Sequence, residues 1–226
     1  MKLSIIIPVY NENKTILQVL DKLDFINYFD KEIIIVDDGS IDGTQKILHN
    51  VISQPYFIIF GKENHGKGHA IRQGLKYVTG DYVLIQDADL EYNPEDIKLL
   101  VDIMNGNDVV YGTRFHSSAN HKKSFYYFGN RFLSLATSIL YGKKITDMET
   151  GYKLFKTTVI KNLNLKQNRF GFEPEVTAKL LKKGYKIHEV PILYQGRSVK
   201  EGKKITWKDG VKALFILIKE RLKPNR

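Results

Sequence analysis

Three carboxylates follow one short apolar run of the sequence at alternate positions. The run at 82–85 is followed by DADLE, so Asp87, Asp89 and Glu91 stand two residues apart. Alternate residues of an extended segment point to the same side, and like charges gathered there repel unless a positive group lies between them. Carboxylates suit Mg²⁺ or Mn²⁺, which bind through one or two of them together with substrate phosphates. The alternative is a solvated turn in which Asp89 or Asn93 caps the next helix.

The DADLE stretch ends one of several strand-like runs in the first half of the chain. These runs, rich in Ile, Val and aromatic residues, lie at 3–10, 32–37, 56–60, 82–86 and 108–111. Amphipathic, helix-like stretches alternate with them at 15–25, 44–51, 70–78 and 95–104. This alternation predicts an α/β fold with a mostly parallel sheet and right-handed crossovers. In such sheets ligands bind beyond the carboxyl ends of the strands.

Polar clusters end four of these runs, so we expect them to line one crevice. They are NEN at 11–13, DDGS at 37–40, HGKG at 65–68 and DADLE at 87–91. The segment GKENHGKG nearly spells a P-loop, but Gly68 stands where that motif needs a Ser or Thr to ligate the metal. We therefore predict a loop that opens a helix, with Lys67 and the helix N-terminus holding a diphosphate. A surface loop without function is the alternative.

The composition indicates one domain with an anionic partner. The chain has 226 residues, 42% of them hydrophobic, which is enough for one well-packed domain. Its net charge of +10 favours nucleotides, lipid phosphates, anionic membranes or nucleic acid. It contains no Cys, which excludes disulfides and thiolate metal sites and fits a reducing cytosol. We expect no signal peptide, and the longest apolar run, 213–218, is far shorter than the about 20 residues of a membrane-spanning helix.

The second half of the chain does not continue the alternation. A basic loop at 116–124 precedes an aromatic helix-like segment at 125–141, and TDMETGYKLF follows at 146–155. The pattern then predicts a helix at 173–183, a strand at 185–194, a basic loop at 195–204 and an amphipathic helix at 207–222. The aromatic segment is either a core helix or one that rests on a membrane surface.

Four of these motifs, in this order and spacing, resemble the family 2 glycosyltransferases with the GT-A fold. They are IIIPVYNE at 5–12, IIIVDDGSIDGT at 33–44, NHGKGHAIRQG at 64–74 and DADLEYNPED at 87–96. Later segments, among them YGTRF, GNRFLS and ITDMETGYKLF, look similar to the branch containing dolichyl-phosphate mannose synthase and bacterial polyprenyl-phosphate glycosyltransferases. The resemblance implies a Rossmann-like GT-A domain at 1–195, with a nucleotide-sugar half at 1–115 and an acceptor half at 116–195. A basic loop and an amphipathic C-terminal helix occupy 196–226.

The resemblance also implies a mechanism and donor-site residues. A hexosyltransferase of this kind moves a sugar from a UDP-, GDP- or dTDP-sugar with inversion at the anomeric carbon. Its nucleotide-sugar site would comprise Pro8, Tyr10, Glu12, Asp37, Asp38, Lys67, Asp87, Ala88 and Asp89. Asp89 and Glu91 would ligate Mg²⁺ or Mn²⁺, which neutralises the charge that develops on the departing diphosphate. Asp89, Arg114, Arg131 and Asp147 are the catalytic candidates.

The two possible classes of acceptor, a phosphate and a sugar hydroxyl, require different residues in the site. A phosphate monoester is already largely dianionic at neutral pH and needs cations, for which Arg114 and Arg131 are candidates. A sugar hydroxyl needs a general base, for which Asp147 and Glu149 are candidates; the same acids would otherwise pair with the arginines. The leading expectation is an undecaprenyl or dolichyl phosphate. The alternative is a hydroxyl in cell-wall, polysaccharide or glycolipid synthesis.

The basic segments suggest where such an enzyme works. We expect peripheral attachment to an anionic membrane at its cytoplasmic face, directly or through a membrane-protein partner, because each Lys or Arg near such a surface contributes about 1 kcal/mol. Many members of the branch carry C-terminal transmembrane helices, which this sequence lacks. A non-catalytic module that binds nucleotides or nucleic acid is disfavoured. The sequence contains no RNA-recognition signature, and a binding module of this kind would not explain the three acids of DADLE.

Overall fold

The computed structural model describes residues 1–52, 55–115, 125–197 and 206–224. The predicted basic loop at 116–124 and most of the one at 195–204 lie outside the described residues.

The described residues form seven strands in a single sheet. The strands are β1 (Lys2–Val9), β2 (Asp30–Asp37), β3 (Tyr56–Phe60), β4 (Tyr82–Ile85), β5 (Val109–Thr113), β6 (Lys153–Lys156) and β7 (His188–Pro191). Their spatial order is β3-β2-β1-β4-β6-β5-β7, and every neighbouring pair is parallel except those that β6 forms with β4 and β5. The predicted mostly parallel α/β sheet is confirmed. The antiparallel strand β6 was not predicted, because its four residues, KLFK, are too few to show the alternation of apolar and polar residues that marks a strand.

Helices cover both faces of this sheet. They are α1 (Ile16–Asp24), α2 (Thr44–Asn50), α3 (Lys67–Gly74), α4 (Ile97–Met104), α5 (Phe125–Tyr141), α6 (Thr157–Lys161), α7 (Phe172–Lys182) and α8 (Trp207–Leu222). The predicted bounds of α5 and α8 are confirmed. The start of α3 was placed three residues late, because Lys67, Gly68 and His69 are not apolar.

The sheet separates two apolar layers. Leu3, Ile5 and Ile7 of β1 point into one layer and Ile6 into the other, as alternate residues of a strand must. Helices α1, α2 and α4 cover the first layer, and α3, α6 and α7 cover the second. Coverage on both faces explains why the central strands are continuous apolar runs.

The last helix packs onto the body of the fold. Ala213 and Leu217 of α8 join Leu133 of α5 and Ala178 of α7 in a third buried cluster. Tyr141 of α5 donates its hydroxyl hydrogen bond to a backbone carbonyl of α8 over 2.8 Å. Among the described helices, none combines the length and the apolar character that crossing a membrane requires.

Candidate active site

A cavity of about 490 Å³ opens at the carboxyl ends of β1, β2 and β4. Most of the residues predicted for the donor site line it, namely Pro8, Tyr10, Glu12, Asp38, Lys67, Asp87, Ala88, Asp89 and Glu91. Arg114 lines it too, from the end of β5. Asp37, Arg131 and Asp147 are not among the residues that line the cavity.

The ends of β1 and β2 are fastened together beside the cavity. Asn11, which adopts φ +52°, accepts from the backbone N–H of Ile41 over 2.9 Å, and its own N–H donates to Ser40 Oγ over 2.9 Å. The buried carboxylate of Asp38 accepts from the N–H of Gly66 at the start of α3. The strand ends and the α3 loop therefore form one rigid wall.

Asp37 shapes this wall from behind. Its Oδ2 accepts from the N–H groups of Gly39 and Ser40 over 3.2 and 3.1 Å and from Gln45 Nε2 over 2.6 Å. Its side chain is fully buried. This oxygen holds the turn that presents Asp38, whereas Oδ1 is buried without a hydrogen-bond partner among the described residues. The nucleotide contact of Asp37 stays a prediction.

The DADLE stretch is not extended, contrary to the premise of the sequence argument. Strand β4 ends at Ile85, residues 88–91 form a turn and a bend, and Leu90 has φ +60°. The three carboxylates consequently point to different partners. Asp87 contacts Lys67, whereas Asp89 and Glu91 contact Arg197.

Lys67 lies between the half-buried carboxylate of Asp87 and the buried carboxylate of Glu173. Its Nζ is 2.7 Å from Asp87 Oδ1 and 2.8 Å from Oε1 of Glu173, a residue in the first turn of α7. Burial would lower the pKa of Lys67, but the two carboxylates hold it well above its ordinary value. A Cβ at Gly151 would collide with the Asp87 carboxylate, so any larger residue there would displace this pair. The ammonium group at the start of α3 is therefore fixed and charged.

Arg197 fills the space between the other acids. Its Nη1 is 2.9 Å from Glu12 Oε2, its Nη2 is 2.7 Å from Asp89 Oδ2, and its backbone N–H donates to Glu91 Oε1 over 2.7 Å. Tyr194 donates to the second Glu91 oxygen over 2.8 Å. Arg197 was not predicted as a site residue, because it lies in a segment predicted only as a basic loop.

The neighbouring carboxylates affect the pKa of Asp89. Burial raises its pKa to about 7, with further contributions from Asp87 and Glu91, while the Arg197 guanidinium acts in the opposite direction. Proton release from Asp89 is thus favoured by any additional positive charge placed beside it.

Arg114 and Asp147 form a buried bidentate pair. Nε donates to Oδ2 over 2.8 Å and Nη2 to Oδ1 over 2.7 Å, and the Arg114 N–H also donates to Oδ2 over 2.9 Å. Glu189 accepts from the N–H groups of Thr146 and Asp147 and fixes this segment. The general-base role predicted for Asp147 is therefore not supported, since Arg114 engages both of its oxygens.

Arg131 lies outside the cavity, on the exposed side of α5. Its guanidinium is 5.3 Å from the centre of the Phe115 ring. The preceding residue, Asn130, lines the cavity instead. Another basic residue that does line it is Arg169, which has φ +48° and forms no ion pair with the described residues.

Glu149, one of the two predicted base candidates, lines the cavity, and so does Glu173, which was not predicted. Oε1 of Glu149 and Oε2 of Glu173 are buried without a hydrogen-bond partner among the described residues. Burial and then the Glu173 charge raise the pKa of Glu149 to about 8, against the opposing effect of Lys153. Burial lowers the pKa of Lys153 to about 7. The pKa values of Glu149 and Lys153 are thus both shifted towards neutral pH.

The acids around Arg197 fit a divalent cation. The described residues contain no ready-made group of three metal-ligating side chains. Asp89 and Glu91 nevertheless already surround one positive group, and their hard oxygens are the donor type that Mg²⁺ and Mn²⁺ take. Two carboxylates leave the remaining positions of such an ion to phosphate oxygens and water.

The order of the strands and the cavity at their carboxyl ends are those of the GT-A fold, which solved structures share. Glucosyl-3-phosphoglycerate synthase from Mycobacterium tuberculosis, crystallised with Mn²⁺, UDP and glucosyl-3-phosphoglycerate, superposes with a TM-score of 0.74. The match has 18% sequence identity and covers 99% of this chain and 81% of that chain. The predicted GT-A fold is confirmed.

The family follows from the sequence comparison. The profile described as Glycosyl transferase family 2 matches residues 4–163, and the chain belongs to this family. It is 29% identical to glycosyltransferase AglJ of Haloferax volcanii, over 85% of this chain and 63% of that protein. It is 31% identical to the dolichol-phosphate mannosyltransferase of Pyrococcus furiosus, over 91% of this chain and 61% of that protein. The chain thus spans less than two thirds of either relative.

Proposed function

We propose that the protein transfers a sugar, with inversion, from a nucleoside diphosphate sugar to a polyprenyl phosphate. The observation that carries the donor half is the cavity at the strand ends, where the fixed ammonium of Lys67 lies beside the acids that surround Arg197. Such an arrangement offers a positive group to a diphosphate and oxygen ligands to a cation. Asp38 and Glu12, at the ends of β2 and β1, are placed for the nucleoside.

We propose that Asp89 and Glu91 hold Mg²⁺ or Mn²⁺ when the donor binds. The cation supplies positive charge against the departing diphosphate. Arg197 contacts the same carboxylates, so it must move aside or share them when the cation binds. The mannosyltransferase and synthase relatives support this assignment through the family and the fold, and one solved synthase complex contains Mn²⁺ and UDP-glucose.

A phosphate acceptor is favoured because one of the two candidate bases, Asp147, is already paired with Arg114. Asp147 is engaged by Arg114 on both oxygens, and a dianionic phosphate needs no base. Arg169, a basic residue on the cavity wall without an ion pair among the described residues, is the better placed phosphate contact than Arg131. The relative named dolichol-phosphate mannosyltransferase agrees with this choice. If the acceptor is a hydroxyl, Glu149 rather than Asp147 is the base.

Two exposed apolar stripes support work at a membrane surface. On α8 the stripe consists of Trp207, Val211, Phe215, Ile218 and Leu222; on α5 it consists of Phe128, Phe132, Leu135 and Ile139. Both stripes lie opposite the sides by which their helices pack into the fold. Exposed Lys208, Lys212 and Lys219 follow one flank of the α8 stripe. Aromatic residues beside lysines are typical of helices that lie in a membrane interface.

The test is a donor screen. The purified protein is assayed with UDP-, GDP- and dTDP-sugars, with and without a short polyprenyl phosphate, in Mn²⁺, in Mg²⁺ and in excess chelator. We expect one nucleotide sugar to be consumed only with polyprenyl phosphate and a cation, and Asp89→Ala to abolish this turnover while circular dichroism shows an unchanged fold. Full turnover in chelator would overturn the cation's role, and turnover only with a sugar hydroxyl acceptor would overturn the polyprenyl acceptor.

A further inference from the structure

The carboxylate of Asp38 is contacted on both oxygens by α3 and the residue that precedes it. Gly66 donates its backbone N–H to Oδ2. Nδ1 of His69, in the first turn of α3, lies 3.3 Å from Oδ1. Asp38 lines the cavity and is 3% exposed, whereas His69 is not among the residues that line it. His69 therefore contacts this carboxylate from behind the cavity wall.

His69 begins a chain of side-chain contacts along α3. Its Nε2 lies 2.9 Å from Nε2 of Gln73, and Oε1 of Gln73 accepts from the ammonium group of Lys76 over 2.6 Å. Lys76 lies in the turn that follows α3. Residues four and three apart are neighbours on one side of a helix, so this order of side chains follows from their spacing in the sequence.

The two ends of the chain fix the direction of every hydrogen bond in it. An ammonium group can only donate, and a carboxylate can only accept. The amide oxygen of Gln73 therefore faces Lys76, and its NH₂ group donates to Nε2 of His69. Nε2 must then be the ring nitrogen without a hydrogen, so Nδ1 carries the hydrogen and donates it to Asp38. The opposite orientation of the amide would set an NH₂ group against the ammonium group.

Two donors on different oxygens orient the Asp38 carboxylate. A carboxylate held by one hydrogen bond can still turn about its Cβ–Cγ bond, and the second donor, from His69, stops this rotation. Each carboxylate oxygen can accept two hydrogen bonds, so the oxygens can still accept one from a ligand in the cavity. Such a ligand meets an acceptor that is already in place, which reduces the entropy lost on binding.

We propose that His69 is a positioning residue, which holds Asp38 as an oriented acceptor for a ring N–H of the donor's base. The inference rests on the proposed function and deepens it. Uracil, thymine and guanine carry a ring N–H on the edge remote from the ribose, whereas cytosine and adenine carry an acceptor nitrogen there. The oriented carboxylate favours the first three bases, because in the other two an acceptor would face an acceptor.

Nitrogen NMR tests the direction of the hydrogen bonds without any ligand. The full chain is labelled with the NMR-active nitrogen isotope in histidine and measured at about pH 8, where an ordinary imidazole is neutral. The chemical shifts of the two ring nitrogens show which one carries the hydrogen, and comparison with His69→Gln assigns them. We expect the hydrogen of His69 on Nδ1. A hydrogen on Nε2 would overturn the proposal, because Nδ1 would then turn a lone pair to Asp38.

Two amide substitutions of His69 test the effect on the nucleotide. The Asn side chain places its NH₂ group where histidine has Nδ1, whereas the longer Gln side chain places its own near the position of Nε2. UDP, GDP and dTDP are titrated into each variant with Mn²⁺ and followed by calorimetry. In His69→Gln the affinity for the nucleotide that the wild type binds should fall about three- to tenfold, the size of one hydrogen bond. His69→Asn should recover most of this loss, because it keeps a donor to Asp38.

The control variant is His49→Gln, which makes the same exchange on α2, where the histidine ring stacks on Phe60. It should leave every affinity unchanged. CDP and ADP, titrated into the wild type, should bind at least about tenfold more weakly than the preferred nucleotide. Circular dichroism checks the fold of each variant.

The possible failures are distinct. If the wild type binds none of UDP, GDP and dTDP, the proposed function itself fails, whatever the NMR result. If one of them binds but the two His69 variants weaken it equally, or neither weakens it, the positioning role alone is overturned. Binding of CDP or ADP as tight as that of the preferred nucleotide would overturn the selection of a ring N–H by Asp38.

Discussion

Arg197 and Asp89 form an ion pair in which Nη2 lies 2.7 Å from Oδ2. The same guanidinium reaches Glu12 on a different strand end, and the backbone of Arg197 reaches Glu91. The like charges of DADLE require a positive group among them, and the Arg197 side chain supplies it. The divalent cation that we propose for Asp89 and Glu91 would therefore have to compete with Arg197 for these ligands.

We predict that Arg197→Ala binds Mn²⁺ more tightly than the wild type when no nucleotide is present. Removing the guanidinium leaves the carboxylates uncompensated, so the affinity should rise about three- to tenfold, which corresponds to about 0.7–1.4 kcal/mol. Electron paramagnetic resonance of free Mn²⁺ measures this directly. Lys98→Ala, which removes an exposed cation elsewhere, is the control. An unchanged or weaker affinity in Arg197→Ala would show that Arg197 does not compete with the cation.

A second prediction concerns the glycine beneath Asp87. In Gly151→Ala the new Cβ would meet the Asp87 carboxylate, Lys67 and Tyr92, so the Lys67–Asp87 pair must shift. We expect nucleotide affinity to fall at least about tenfold, because the ammonium group that we propose as the diphosphate contact is displaced. The matched control is Gly129→Ala in α5, where a Cβ meets open space and should stabilise the helix by about 0.5–1 kcal/mol. Equal nucleotide affinity in the two variants, measured by calorimetry, would contradict this account.

The sequence predicted the helices and strands that have a regular spacing of apolar residues. It did not predict the features that depend on contacts between residues distant in the sequence. The apolar period of 207–222 was enough to place α8 correctly. The turn at Leu90 could not be foreseen, because positive φ at a leucine is imposed by its neighbours. Arg197 and Glu173 are far from DADLE in sequence, and only the tertiary fold brings them to it. The spacing of residues in the sequence therefore identified the acidic residues of DADLE but not that Arg197 pairs with them.

The third prediction follows from the raised pKa of Glu149. The pKa of Glu149 is about 8 in the folded protein, against about 4.3 for a glutamate in an unfolded chain. The folded state binds the extra proton between these values, so its contribution to stability is complete below about pH 4 and is lost as the pH rises towards 8. Glu149→Gln cannot titrate. The free energy of unfolding of the wild type should therefore fall, relative to this variant, by about 1–3 kcal/mol between about pH 5 and pH 8.

Urea denaturation at several pH values measures this difference. Glu63→Gln, at an exposed position, is the control and should run parallel to the wild type. Parallel curves for Glu149→Gln and the wild type would show that burial does not hold this proton.

The fourth prediction separates stability from catalysis at Asp147. Asp147→Asn breaks a buried bidentate pair and leaves Arg114 uncompensated, which should lower the free energy of unfolding by about 3–5 kcal/mol. Loss of turnover in this variant is then a consequence of the damaged site and does not identify a base. The measurement is chemical denaturation beside donor binding. A fully stable Asp147→Asn that has lost only turnover with a hydroxyl acceptor would restore the base role.

The last prediction tests the apolar stripe of α8 against an equally exposed aromatic residue elsewhere. Phe215 is 64% exposed within the stripe, and Phe25, at the end of α1, is 86% exposed outside it. If α8 rests on lipid, Phe215→Ser should weaken binding to anionic vesicles about tenfold, because burying a phenyl ring contributes about 1.5–3 kcal/mol. Phe25→Ser should have no such effect, and neither change should disturb the core. Binding is measured by co-sedimentation with phosphatidylserine-containing and neutral vesicles, and salt should release the protein by screening the flanking lysines. Equal losses in the two variants, or binding that ignores both vesicle charge and salt, would mean that the stripe does not dock on an anionic membrane.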